Sequence, residues 1–274
     1  MPDMTIDLIL VGCGNMGHAM LAGWITAGRI PAARVVVVEP NESLRLRAAA
    51  LGLSAHATAQ EIAPDCQPRV VIFAVKPQVM RQVVPDYSRF KAGGAAFVSI
   101  AAGTPVGTFE ELLGADAPII RCMPNTPAAI GKGMMVLFAN NNISPEQDEF
   151  VRDLLSANGA IASIDDEDLM DAVTAVSGSG PAYVFHFIEC LTEAARTAGL
   201  PDDVAKLLAM QTVYGAGALA AESDEEPGKL RQNVTSPNGT TAAGLAVLMG
   251  GDRLKQLLAE TVEAAKQRGI ELRD

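Results

Sequence analysis

The chain has 274 residues, 49% hydrophobic, 19% charged and 4% aromatic, with 21 basic against 32 acidic side chains. At roughly 150 residues per domain this length suggests two domains, and the apolar fraction excludes a disordered chain. A net charge of −11, with no basic run, excludes a protein built to hold nucleic-acid phosphates, which needs a basic patch.

The four cysteines, Cys13, Cys66, Cys122 and Cys190, lie far apart with no CxxC pair. Reduced thiols in a cytoplasmic protein are therefore expected rather than a disulfide framework. Two stretches without formal charge, 8–28 and 92–109, contain five and four glycines, so neither reads as a lipid-facing helix. No basic segment precedes the first apolar run, so neither a signal peptide nor a membrane partner is expected.

In chain order, short apolar runs alternate with segments of helical length. The runs are 7–11, 34–38, 70–75, 95–100 and 118–122, with a sixth around 134–139; helices are expected at 16–27 and 42–51. Runs of this length alternating with helices predict buried parallel strands in βαβ units, hence a doubly wound α/β Rossmann sheet. Ser144 and Pro145 predict an N-cap and first helical residue for a helix over 146–158. Beyond Asp165 no strand is expected. Helices are predicted over 181–198, 201–222 and 252–268, with Gly199 and Gly269 as stops. Several of them are apolar on more than one face, which predicts burial against another subunit. The expected division is a dinucleotide-binding domain over 1–164 and an all-helical domain for substrate binding and dimerisation over 165–274.

Gly12-Cys13-Gly14-Asn15-Met16-Gly17 stands between the first strand and the first helix, the setting in which GxGxxG signals a dinucleotide site. Gly12 permits the tight turn, Gly14 the approach of a pyrophosphate, and Gly17 close helix packing; the helix N-terminus adds free N–H groups. Glu39 ends the second strand, where a carboxylate accepts from the ribose hydroxyls and repels a 2′-phosphate. This favours NADH. Arg45 and Arg47 lie one to two helical turns further on, and a phosphate clamp by them is the weaker alternative. Ala74-Val75-Lys76-Pro77 ends the third strand at the crevice, and Ser99 to Gly103 offers small side chains where a nicotinamide needs room. The 177–181 segment, SGSGP, reads as a loop ahead of a proline-started helix. In 233–241, NVTSPNGTT precedes an apolar helix over 242–249 and forms an anion site sized for a carboxylate. The three histidines, His18, His56 and His186, are scattered, no metal constellation is present, and catalysis would rest on positioning a cofactor that supplies the hydride.

The motifs GCGNMG at 12–17, AVKPQ at 74–78, RCMPNTP at 121–127, SGSGPAY at 177–183 and NVTSPNGTT at 233–241 together resemble the pyrroline-5-carboxylate reductase family over nearly the whole chain. The resemblance implies reduction of a cyclic imine to proline with NAD(P)H, and a helical domain that intertwines into a homodimer, often assembling into a decamer. By similarity the dinucleotide would contact 12–17, Ala74 to Pro77, Ile100, Ala101, Ala102 and Asn233. Ser236, Thr240 and Thr241 would hold the substrate carboxylate, Thr174 would hydrogen-bond the ring nitrogen, and Glu167 would neighbour the substrate. Where NADPH-preferring members carry a serine this chain has Glu39, and where some have an asparagine it has Ala59. A β-hydroxyacid dehydrogenase would require a lysine in the helix after Pro181, which reads AYVFHFIE. A dinucleotide-sensing regulatory protein would have no need of the 235–241 nest.

Overall fold

The computed structural model describes residues 5–273. Eight strands form one sheet: β1 (Leu8–Val11), β2 (Val35–Val38), β3 (Ser54–His56), β4 (Val70–Phe73), β5 (Ala96–Ser99), β6 (Ile119–Met123), β7 (Gly133–Ala139) and β8 (Gly159–Ser163). Their order is β3-β2-β1-β4-β5-β6-β7-β8, and β1 pairs in parallel with both β2 and β4. The strand order therefore reverses at β1, and the crevice beyond the carboxyl ends of β1 and β4 is where such sheets bind ligands. One expectation changes: β7 runs antiparallel to β6, with β8 parallel to β7. Residues 124–132 between β6 and β7 are too few for the helical crossover that a parallel return requires.

Helices cover both faces, as a sheet buried on two sides demands. On one face α1 (Asn15–Thr26) and α5 (Pro145–Ser156) bury Met20, Leu21, Trp24, Val151, Leu154 and Leu155. The other face gathers Phe73, Tyr87, Phe90, Phe97 and Phe109, with Tyr87 edge-on to Phe73 at 5.5 Å. That face is covered by α3 (Pro77–Val83), a following 3₁₀ stretch and α4 (Val106–Leu113), while α2 (Glu42–Ala49) leads into β3. The expected cap of α5 is present: Ser144 Oγ accepts from Gln147 N at 3.3 Å and Gln147 Oε1 accepts from Ser144 N at 2.9 Å.

The remaining helices are α6 (Met170–Val173), α7 (Gly180–Thr197), α8 (Asp202–Glu222), α9 (Pro227–Asn233), α10 (Thr240–Met249) and α11 (Arg253–Glu271). By packing density the chain forms two compact units. One compact unit runs to Ser179 and resumes at Ala265; the other is Gly180–Ala264. Residues 165–179 and the last two turns of α11 thus belong to the unit that contains the sheet. Gly269 is not a stop, because α11 continues to Glu271. A methyl group there would lie 3.1 Å from Asp171 Oδ1, so the residue serves close packing.

In the unit 180–264 only Thr192, Ala205 and Ala209 are buried among the described residues, whereas Phe185, Leu207, Tyr214, Val247 and Leu257 are all more than half exposed. Of the described helices, α8 alone is long and apolar enough to cross a membrane. The two uncharged stretches noted in the sequence instead hold β1 with α1, and β5 with the start of α4.

Candidate active site

The glycine loop shows three distinct constraints. Gly12 has φ +88°, and a methyl group on it would lie 2.8 Å from Val75 Cγ1 and 2.9 Å from the Ala74 carbonyl. On Gly17 a methyl would sit 2.6 Å from the Gly12 carbonyl oxygen, whereas Gly14 faces open space. Gly14 is the N-cap of α1, with no side-chain cap and no acidic residue in the first turn. An open backbone at an uncapped helix N-terminus fits a dinucleotide pyrophosphate.

Glu39 is only 7% exposed. Its Oε2 accepts from Cys13 N at 2.8 Å and its Oε1 from Asn41 N at 2.9 Å, so the carboxylate braces the glycine loop as well as ending β2. Arg45 donates to the carbonyls of Glu39 (2.8 Å) and Pro40 (3.0 Å). Arg47 donates to those of Cys13 (3.1 Å) and Gly14 (3.2 Å). Burial, reinforced by the Glu39 charge against the opposing pull of Arg47, pushes the Cys13 thiol up to about 11. Burial and the Arg47 charge both hold His18 below its usual value, so it stays neutral near pH 7.

At the ends of β4 and β5, Ala74 to Pro77 and Ile100 to Ala102 border the crevice. Lys76 is exposed and caps α3 through its backbone, and Ala101 N donates to Ser99 Oγ at 3.3 Å. Beside them is a recess of about 300 Å³ whose walls include Pro77, Ala102, Gly103, Asp171, Thr174 and Gly269. Two groups of sequence-predicted residues, one for the cofactor and one for chemistry, therefore meet within a single unit. Thr174 opens a π-helical turn, Thr174–Gly178, closed by Ser179 N donating to the Thr174 carbonyl at 2.8 Å. Such turns recur at functional sites. The segment beginning at Ser177 is thus a widened helical turn and not the expected loop. Thr174 Oγ1 donates to the Met170 carbonyl at 2.8 Å.

The structure does not bring Glu167 to this recess. Its Oε1 accepts from Arg121 Nη1 at 2.6 Å and from Val106 N at 2.8 Å, and it lines a separate hollow with Glu110, Asn140 and Asp165. The physical reason is charge: Arg121 is 2% exposed, and a buried guanidinium requires a counter-charge.

Asn233, Ser236, Thr240 and Thr241 belong to the second unit. There Asn233 Nδ2 donates to Glu225 at 2.7 Å, and Gly239 N donates to the Ser236 carbonyl at 3.0 Å. The helix begins at Thr240 instead of 242, with Gly239 as N-cap and no side-chain cap. Both threonines therefore sit in a first turn whose N–H groups are uncapped.

Sequence reasoning missed Asp171, Asn125 and Arg273. Asn125 Nδ2 donates to the Ser177 carbonyl at 3.2 Å, which ties the RCMPNTP segment to the π turn. The position of Asp171, one helical turn before Thr174, was the available signal.

The helical dimerisation model of pyrroline-5-carboxylate reductase matches residues 167–272. The model described as NADP oxidoreductase coenzyme F420-dependent matches 7–103. The reductase of that name from Pseudomonas aeruginosa is 39% identical over 269 residues, covering 98% of this chain and 97% of its own. The one from Arabidopsis thaliana is 36% identical, covering 97% and 95%. Among solved structures, the Coxiella burnetii reductase superimposes with a TM-score of 0.92 at 33% identity, covering 98% of this chain and 99% of its own. A Plasmodium falciparum pyrroline carboxylate reductase, solved with NADP bound, gives 0.83 at 31%, covering 98% of each. Sheet, glycine loop and recess thus define an NAD(P)H-dependent oxidoreductase with a dinucleotide-binding domain and a dimerisation domain. Within that class, the chain belongs to the pyrroline-5-carboxylate reductase family.

Proposed function

We propose that this chain reduces the cyclic imine 1-pyrroline-5-carboxylate to L-proline, the last step of proline biosynthesis. The observation that carries the reading is the recess in which Pro77 and Ala102, at the strand ends, share a wall with Thr174. Residues 12–17, Ala74 to Pro77, Ile100 to Ala102 and Asn233 hold the dinucleotide, whose reduced nicotinamide supplies a hydride for the imine carbon. Ser236, Thr240 and Thr241 hold the substrate carboxylate, supported by the uncapped first turn of α10. Thr174 orients the ring nitrogen. Its hydroxyl proton is committed to the Met170 carbonyl, which leaves its oxygen to accept from the N–H of the protonated imine. Holding the acceptor carbon in place is worth several kcal/mol, on the order of 7–11 at most.

Glu39 inclines the site toward NADH. At an effective dielectric near 20, two charges about 4 Å apart repel by roughly 4 kcal/mol. Solvent and salt reduce this to about 1–2 kcal/mol, roughly fivefold to thirtyfold. Arg45 and Arg47 are engaged by backbone carbonyls, which supports their not clamping a 2′-phosphate. The homodimer, with the decamer as its higher assembly, and a cytoplasmic location complete the reading; light scattering tests the first and fractionation the second.

Turnover with the imine and each dinucleotide tests the proposal directly, and no turnover with either refutes it. Thr241→Val should raise KM for the imine and leave KM for the dinucleotide unchanged; the reverse pattern removes the carboxylate assignment. Glu39→Ser should move the kcat/KM ratio toward NADPH, and an unchanged ratio means that Glu39 selects nothing.

A further inference from the structure

We propose that Arg273 is a positioning residue for Thr174, latching the end of α11 across the recess. The inference rests on the reading of Thr174 given above. Asp171 lies one helical turn before Thr174, on the same side of the helix, and is 2% exposed in the recess wall. Its counter-charge comes from far along the chain: Arg273 Nη2 stands 2.6 Å from Asp171 Oδ2, close as an ion pair though not aligned as a hydrogen bond. Arg273 Nη1 also donates to Asp168 Oδ1 at 3.1 Å.

Two close approaches fix the same turn from both sides. A methyl group on Gly269 would lie 3.1 Å from Asp171 Oδ1, and one on Gly103 would lie 3.1 Å from the Leu272 carbonyl oxygen. The end of α11 is therefore wedged between the helix bearing Thr174 and the segment after β5. It sets the spacing between the two walls of the recess, one assigned to the nicotinamide and one to the imine nitrogen.

The need for a latch follows from the π turn. Residues 174–178 lack regular α-helical hydrogen bonding, so the turn preceding them must be held from outside. Without Arg273, Asp171 would be a buried charge with no partner, a state that a helix end relieves by moving to admit water. An error of about 1 Å in such spacing costs on the order of a hundredfold in rate.

The test compares Thr174→Val, Arg273→Met, Arg273→Lys and Gly269→Ala in the full chain, by steady-state kinetics, dinucleotide affinity and light scattering. Arg273 is partly exposed, so its replacement is compatible with folding. Arg273→Met should lower kcat about tenfold or more, with dinucleotide affinity and assembly unchanged, and Arg273→Lys should recover kcat to within about threefold. Gly269→Ala keeps every charge but displaces Asp171, and should lower kcat in the same sense by a smaller factor. An Arg273→Met protein with parental kcat beside an impaired Thr174→Val overturns the latch alone. Parallel loss of kcat and dinucleotide affinity, or no rescue by lysine, also overturns it. A Thr174→Val protein with parental kcat overturns the assignment of Thr174, and the latch with it.

Discussion

The two units solve the problem of a hydrophobic core in opposite ways. The unit containing the sheet buries every residue of β1, β2, β4, β5 and β6 between two helical layers, and on one face Phe73, Tyr87, Phe90, Phe97 and Phe109 pack on one another. The unit 180–264 buries only Thr192, Ala205 and Ala209 among its described residues, while Leu207 stands 67% exposed. A chain segment with so little core of its own is stable only when another surface covers it, as in obligate dimers whose interfaces resemble a domain core. The match to a dimerisation domain over 167–272 agrees with that physical argument. The apolar length of α8 has the same explanation.

Substitutions of equal chemistry should separate the units. The largest effect is expected from Leu207→Glu on α8. Covering a large apolar side chain is worth about 1.5–3 kcal/mol, the two-fold axis of a dimer repeats it, and a buried charge adds to the loss. Light scattering should show dissociation, and turnover should vanish with it. The counterpart Leu46→Glu on α2, at a residue 64% exposed, should change neither.

Next, Phe73→Ala should remove about 3–5 kcal/mol from the first unit, because that ring contacts Tyr87, Phe97 and Phe109. Thermal unfolding would record it, and an unaltered midpoint would contradict the core described. Gly12→Ala should cost about 1–3 kcal/mol of strain, given φ +88° and the nearby Ala74 carbonyl, and should weaken dinucleotide binding without altering the dimer.

The smallest effect is chemical. With the Cys13 thiol pushed up to about 11 and Cys122 to about 12 by burial, the Cys13 thiolate is only about a thousandth of the population at pH 8. Neither residue should be alkylated in the native protein below pH 10. Rapid labelling of Cys13 would show the glycine loop to be open.

Much of the fold was legible because strands buried on both faces admit only apolar residues, so Val35–Val38 and Val70–Phe73 stand out. The end strands Ser54–His56 and Gly159–Ser163 did not, being short, with polar or small residues. The glycine loop was legible at the level of individual residues, since each glycine answers a different steric demand. Arg121 with Glu167, and Asp171 with Arg273, were illegible as pairs. A counter-charge is chosen by proximity in the folded chain, and sequence spacing carries no trace of it. Gly269 misled for a related reason: a glycine that admits a neighbouring side chain looks the same in sequence as one that ends a helix.

The brace from Glu39 to the Cys13 amide has a consequence for evolution. On the proposed reading the side chain that braces the glycine loop also sets the charge beside the ribose, which would make cofactor choice and loop rigidity epistatic. A lineage that trades Glu39 for a neutral residue would then gain tolerance of an extra phosphate and lose an anchor in the same step. Glutamine would keep an acceptor for the amide while discarding the charge. It is therefore the accessible intermediate, whereas a shorter side chain such as serine would give up loop rigidity for the change in charge.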